Sequence, residues 1–408
     1  MFKKGALGVV LASTLLYGGA YKIPEQSSDS LGLLASNVAM SFGADAAYFN
    51  PANMMFLDPR HNFENTVGWF HTGEVGLNTN DGKSYRSRNF DSLATTFNFV
   101  SPEYYENWRF GLALAVPAAL GMGWDDPATA FSAHRFKLQV VELNPTVAHR
   151  INDQLAVAVG LRAVYSKGRV ANDYGALGKR ELTGDSIDGG YNAAITYRPI
   201  PNLSFAATYR SKVDLTINGD ADGKFANPAA NYNGYVKVEI PLPAQLVLAT
   251  AYKHEDLTLL LALERTYWSS FKGYDFNYPD GAYKSNPFFA NLMDRPSTRK
   301  YRDTNTYRVG VAYDATDKIR LMFGFAHDQD VAKPQETGLE LPNTTSRAYS
   351  FGINYKISDN CEIALGYVYQ DRSSKNVVGV PTGLGTTDSG KIDRADVQIV
   401  GTSLKYKF

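Results

Sequence analysis

From about residue 61 to its end the chain alternates apolar and polar side chains one by one, and no other feature restricts its fold as tightly. In "SKVDLTINGD" Val213, Leu215 and Ile217 share one face, and Lys212, Asp214, Thr216 and Asn218 share the other. "AYSFGINYKIS" repeats the pattern through Tyr349, Phe351, Ile353, Tyr355 and Ile357. So do Leu155, Val157, Val159 and Leu161, then Tyr307, Val309, Val311 and Tyr313, then Ile363, Leu365, Tyr367 and Tyr369. A period of two is that of a strand, whose successive side chains point to opposite faces. The expected fold class is therefore all-β. The 26 Tyr, 22 Phe and 35 Gly among 408 residues agree, since aromatics suit pleated surfaces and glycines suit tight turns.

Alternation alone does not separate a soluble sandwich from a membrane barrel. Connection lengths do. Short polar links at residues 150–154, 198–202, 314–318 and 358–360 alternate with long ones at 272–300 and 372–391. Short turns on one side and long loops on the other characterise outer-membrane barrels. Aromatics cluster near strand ends, as at Tyr104, Tyr105 and Trp108 and again at Tyr267 and Trp268, where an interfacial girdle would place them. The last stretch, "TSLKYKF", sets Thr402, Leu404, Tyr406 and Phe408 on one face and ends on an aromatic, which resembles the assembly signal of bacterial outer-membrane barrels. Counting strands between the links predicts a transmembrane antiparallel β-barrel of about fourteen strands, apolar side outward, with both ends on the periplasmic side.

The first 60 residues are different. Lys3 and Lys4, the apolar stretch 5–17 and the small Gly18, Gly19 and Ala20 make the three-part pattern of a secretory signal, with cleavage expected after Ala20. A membrane-spanning helix would need about 20 apolar residues. Residues 21–60, rich in Ala, Gly and Met, do not alternate and are expected to fold as a hatch inside the barrel formed by residues 61–408. Acidic and basic residues balance at 41 each, so no net field recruits nucleic acid. The single Cys361 excludes an internal disulfide framework.

Around "EQSSDSLGLLASNVAMSFGADAAYFNPANM" the chain resembles the FadL family of outer-membrane long-chain fatty-acid transporters, through the Glu-Gln-Ser start and the tripeptide Asn50, Pro51, Ala52. The likeness continues in "ATYRSKVDLTINGD", "NGYVKVEIPLP", "RTYWSSFKGYDF" and "DTNTYRVGVAY". The resemblance implies a fourteen-stranded barrel with an N-terminal hatch in a Gram-negative outer membrane, and passive uptake of hydrophobic molecules. The implied surroundings are outer-membrane lipid, lipopolysaccharide and the barrel assembly machinery. One departure concerns residues 170–185, which look shorter than the family's helix-bearing capture loop. Lys179 and Arg180 within them are candidates to meet a carboxylate, although an exposed basic pair is more often merely solvated.

Candidate ligand contacts in the hatch are Met40, Phe42, Phe49, Met54, Met55 and Phe56, since Met and Phe offer adaptable apolar surface. Each could equally be hatch packing. Asn50 and Pro51 are expected to fix a bend. In "GLALAVPAALGMGW" the alternation Leu112, Leu114, Val116 stops at Pro117, and Gly121 and Gly123 follow. Proline removes a ladder bond, which is costly in lipid unless something uses the gap. The family kinks the corresponding strand to make a side opening, so Pro117, Gly121 and Gly123 are expected to mark one. Catalysis is not expected, for no G-x-S-x-G elbow, Walker spacing or metal-type His pair occurs, and no cofactor or metal is implied. "NGDADG" at 218–223 lacks the twelfth-position Glu of a calcium loop and is expected to be a surface turn. The rival function is a general porin, with Arg210, Lys212 and Asp214 facing inward.

Overall fold

The computed structural model describes residues 20–279, 294, 296–383 and 386–408. Of the expected signal segment only Ala20 falls among them; residues 1–19 lie outside the described residues.

Alternation becomes one large antiparallel sheet. Its strands are β1 Asn62–Thr72, β2 Phe90–Val100, β3 Trp108–Met122, β4 Arg135–Asn152, β5 Leu155–Asp173, β6 Gly178–Ile200, β7 Leu203–Arg210 and β8 Val213–Phe225. They continue as β9 Tyr232–Leu242, β10 Gln245–His254, β11 Leu257–Thr266, β12 Thr304–Asp314, β13 Ile319–Asp328, β14 Ser346–Lys356, β15 Cys361–Arg372 and β16 Ala395–Lys407. The sheet closes where β1 pairs with β16, Asn62 opposite Lys407. Fourteen strands form the ring, and β8 and β9 prolong β7 and β10 beyond it as an outward hairpin. Closure leaves no lipid-facing edge and satisfies the backbone within the sheet.

The turns at 101–107, 153–154, 201–202, 255–256, 315–318 and 357–360 all lie at the end of the barrel that holds Asn62 and Lys407. Long connections occupy the other end. Three expectations about them change. Residues 170–185 are mostly ladder, with β5 running to Asp173 and β6 starting at Gly178. Residues 218–223 are not a turn but part of β8, paired with β6 and β9. The link 372–391 carries a hairpin, Lys375–Gly383 against Thr386–Ile392. In the link 272–300, Gly273–Tyr274 pairs with Ser297–Thr298; residues 280–293 and 295 lie outside the described residues.

Around most of the ring the apolar stripe faces out, with Leu161 69% and Ile187 78% exposed. In β8 the stripe is reversed: Val213, Leu215 and Ile217 are buried within, while Lys212 and Asp214 face outward as a salt bridge. Arg210 alone of the porin trio turns inward, onto Glu142. The outward hairpin has charged residues on its exterior and an apolar interior to line, so burial selects the opposite face.

The hatch fills the lumen. Ser27 caps α1 Ser28–Leu33 in a reciprocal capping box with Ser30. α2 Ala46–Phe49 and a 3-10 helix Pro51–Phe56 follow. α1 seats against wall glycines: a Cβ on Gly352 would meet Gly32 Cα at 2.9 Å, and one on Gly366 would meet Leu31 Cβ at 2.5 Å. At the hatch's other end Arg109 donates to the carbonyls of Met54, Leu57, Asp58, Arg60 and Ser101. One buried guanidinium thereby ties the hatch to β3.

Candidate lateral opening and apolar chamber

β3 begins as an ordinary wall strand and then leaves the wall. Its ladder with β2 covers only Phe97↔Leu114 to Val100↔Gly111, so residues 90–96 of β2 lie beyond the stretch paired with β3. On its other edge β3 follows β4 with a register shift between Ala115 and Ala118, around Pro117. From Ala115 to Met122 the residues are buried, and alternation is lost because both faces of the strand now lie inside the barrel. The breach closes above at a bridge between Ser87 and Trp124, where Arg88 N–H donates to Gly123 O at 2.8 Å.

The edge that β2 gives up is taken by residues 21–26. Ile23 N–H donates to Pro117 O and Ala119 N–H to Tyr21 O, both at 2.9 Å. Gln26 completes the substitution with its side chain. Its amide accepts from Val116 N–H at 2.8 Å and donates to Val116 O at 2.9 Å, so both backbone groups beside the proline are satisfied. Thr96 of β2 reaches back to Gln26 O at 2.6 Å. The segment is a strap that serves as a substitute strand on the inner side of the breach.

Beside the strap lies an apolar chamber in the outer half of the barrel. Tyr21 of the strap, Leu120 and Met122 of kinked β3, Phe136 and Leu138 of β4, and Trp268 and Phe271 of the outer connections belong to one buried cluster. Tyr21 meets Trp268 edge-on at 4.9 Å, and its hydroxyl donates to Pro241 O. A narrow cavity of about 30 Å³, open on one side, is lined by Phe136, Leu138, Val170, Leu182, Ile217, Val236, Val238, Ile240 and Phe276. Such a lining admits an apolar body and little else. Arg180 lies near its edge, 5.3 Å from the centre of the Phe276 ring, buried and bonded to Asn172 Oδ1 and to Tyr278. Burial pushes the Tyr278 hydroxyl up to about 12, so it remains a proton donor near Arg180 at neutral pH.

The residues expected to form the site are dispersed. Pro117 sits at the register shift and Gly123 at the upper rim, but Gly121 is paired with Lys137 of β4 and is no break in itself. Arg180 turns toward the chamber, whereas Lys179 is exposed and pairs with Asp173 at 3.0 Å. The six hatch residues split between two packing clusters, Met40 and Phe42 in one and Phe49, Met54, Met55 and Phe56 in the other, both apart from the chamber. Phe42 lies under Arg320 and Phe56 under Arg198. Asn50 caps the 3-10 helix, its side chain accepting from Ala52 N–H and donating to Val38 O and Thr196 Oγ1, with Pro51 opening the helix and Ala52 buried. Sequence reasoning did not find the strap, Tyr21 or Gln26. The signal available was the loss of alternation after Val116, which implies an inner partner for β3.

A family model described as outer membrane protein transport protein (OMPP1/FadL/TodX) matches residues 9–408. The chain is 23% identical to outer membrane protein P1 of Haemophilus influenzae, over 99% of this chain and 98% of that protein. It is 22% identical to the long-chain fatty acid transport protein of Escherichia coli, over 92% and 94% respectively. Among solved structures it is similar to a Pseudomonas aeruginosa FadL homologue, with a TM-score of 0.83 at 18% identity, covering 95% of this chain and 100% of that one. It is also similar to the Pseudomonas putida toluene transporter TodX, with a TM-score of 0.71 at 16% identity, covering 94% and 98%.

Proposed function

The chain belongs to the family of outer membrane protein transport proteins (OMPP1/FadL/TodX), and from that premise we propose a route by which it carries hydrophobic molecules passively across the outer membrane. A long-chain fatty acid or an aromatic hydrocarbon is gathered among the outer connections, where lipopolysaccharide surrounds the barrel. It enters the chamber, lies against Phe136, Leu138 and Phe276, and leaves between β2 and β3 into the outer leaflet. A water-filled exit would be unfavourable, since each buried methylene is worth about 0.8 kcal/mol. The observation that carries this reading is the breach in the wall, with strap and kinked β3 packed into the same apolar cluster that lines the chamber.

Pro117 gives the kink its place, and Gly123 lets the upper rim close against Arg88 and Phe90. Arg180 orients a ligand that bears a carboxylate, and Lys179 takes no part. The apolar hatch residues, Met40, Phe42, Phe49, Met54, Met55 and Phe56, hold the hatch in the barrel and make ligand contact only if it moves. The family is one of transporters, and binding and release are the steps assigned to these residues.

Uptake of radiolabelled oleate and toluene by cells with and without the gene tests the reading. Pro117→Val should lower uptake of both while the barrel still assembles. Arg180→Gln should lower uptake of oleate several-fold and leave toluene unchanged. Sugar flux in liposome swelling without hydrophobic uptake would refute the proposal in favour of a general porin.

A further inference from the structure

The hatch meets β1 through more negative charge than the wall can neutralise. Asp29 of α1, Asp45 before α2, Glu64 of β1 and Glu362 of β15 surround the single Lys405 of β16. Lys405 Nζ bonds both Asp29 oxygens at 2.7 Å and lies 3.0 Å from Glu362. Asn354 of β14 bridges Asp29 and Glu362. The next cation, Arg320 of β13, is itself paired with Asp314 at 2.6 Å. Asp45 and Glu64 are thus left to each other: Asp45 N–H donates to Glu64 Oε2 at 3.2 Å, and Asp45 Oδ2 accepts from Ser27 and Asn37.

A second observation identifies what is missing. Asp45 Oδ1, Glu64 Oε1 and Asn37 Oδ1 are buried with no hydrogen-bond partner. Asn98 of β2, opposite Glu64 in register and 1% exposed, has neither amide atom bonded. These buried carboxylate oxygens accept from no donor, the Asn98 amide opposite Glu64 included, and two carboxylates sharing a site cannot both stay ionised. A proton on either carboxyl supplies the donor and removes the repulsion. It also has a way in. A narrow cleft of about 40 Å³ at the short-turn end is lined by Ala44 and Phe63, the chain neighbours of Asp45 and Glu64, and by Glu362 and Lys405.

We propose that Asp45 and Glu64 form a proton-binding site that latches the hatch to β1, and that loss of this proton loosens the segment around α2. The proposal stands apart from the lateral route and from the identity of the transported molecule. Burial and the nearby Asp29 raise the Asp45 carboxyl to about 6 in the docked hatch, against about 3.9 when free. A carboxyl raised on docking favours the docked form below its free value and loses that contribution as pH climbs through the docked value. Docking is therefore strongest below about pH 4 and weakens by about a hundredfold once pH passes about 6.

Hydrogen exchange of the full chain in detergent, with rates corrected for their intrinsic pH dependence, tests this. Between about pH 4.5 and about pH 8 the protection of amides 43–50 should fall by up to about 25-fold, while that of β15 holds. Asp45→Asn should flatten the profile and keep protection at high pH, and Glu64→Gln, which removes the facing charge but leaves burial and Asp29 acting on Asp45, should shrink the fall and raise protection at high pH. Glu64→Gln changes only the wall, so it remains informative if Asp45→Asn does not fold. A flat wild-type profile, or the same fall in the variants as in the wild type, overturns the proposal.

Discussion

The fit of the hatch depends on atoms that are missing from the wall. Gly352 and Gly366 face each other across β14 and β15, and α1 occupies the space that their Cβ atoms would fill. A methyl on Gly352 would collide with the backbone of Gly32, which cannot rotate away. Overpacking of this kind costs about 1–3 kcal/mol. Gly352→Ala should therefore make the hatch more susceptible to protease at 28–57 without changing the heat-modifiable mobility of the barrel. Asn50 shows the opposite dependence, on a group that is present. Its amide donates to Val38 O at 2.7 Å and to Thr196 Oγ1 at 2.8 Å, joining three segments. Asn50→Ala leaves Val38 O with Asn53 but strands the buried Ala52 N–H, at a cost of about 1–3 kcal/mol, and should lower the midpoint of hatch unfolding followed by hydrogen exchange. The tripeptide that Asn50 begins was visible as a motif, whereas Gly310, Gly324, Gly352, Gly366 and Gly401, each on a different strand and each against the region of α1, could not be known to share one patch.

At the scale of elements, β3 and the strap form one unit. A strand that leaves its neighbour in a membrane wall must find another partner for its N–H and C=O groups. Here residues 21–26 provide it, with the Gln26 amide standing in for a peptide group. Gln26→Leu keeps the bulk and removes both bonds. Exchange of amides 115–119 should rise by one to two orders of magnitude, corresponding to about 1–3 kcal/mol for unsatisfied buried groups. Unaltered protection there would show that the strap is not what holds the kink. The alternation that identified the other strands as wall stops at Val116, because a strand buried on both faces has no polar side to display. β8 misleads in a related way. Its stripe is regular, but period two reveals only that two faces differ, not which one points to lipid.

For the molecule as a whole, a closed ring with a filled lumen separates hydrophobic transport from aqueous passage. The hatch is fastened at both ends, by Lys405 on Asp29 and by Arg109 on four of its carbonyls. Proteoliposomes carrying the wild-type chain should pass no sugar in swelling measurements, and Arg109→Met should introduce a slow leak as the end of the hatch frays. The chain's residues by themselves determined the barrel, its approximate strand number, its end-to-end polarity and the presence of a hatch. These follow from period, link length and loss of period, all of which are local in the chain. Only the tertiary structure decided that the apolar hatch residues lie apart from the chamber, that β8 turns its apolar face inward, and that the strap completes β3. It likewise brought Asp45 against Glu64. Such facts depend on which distant segments come to share a face, and closing the barrel sets those neighbours in a way that no spacing along the chain records.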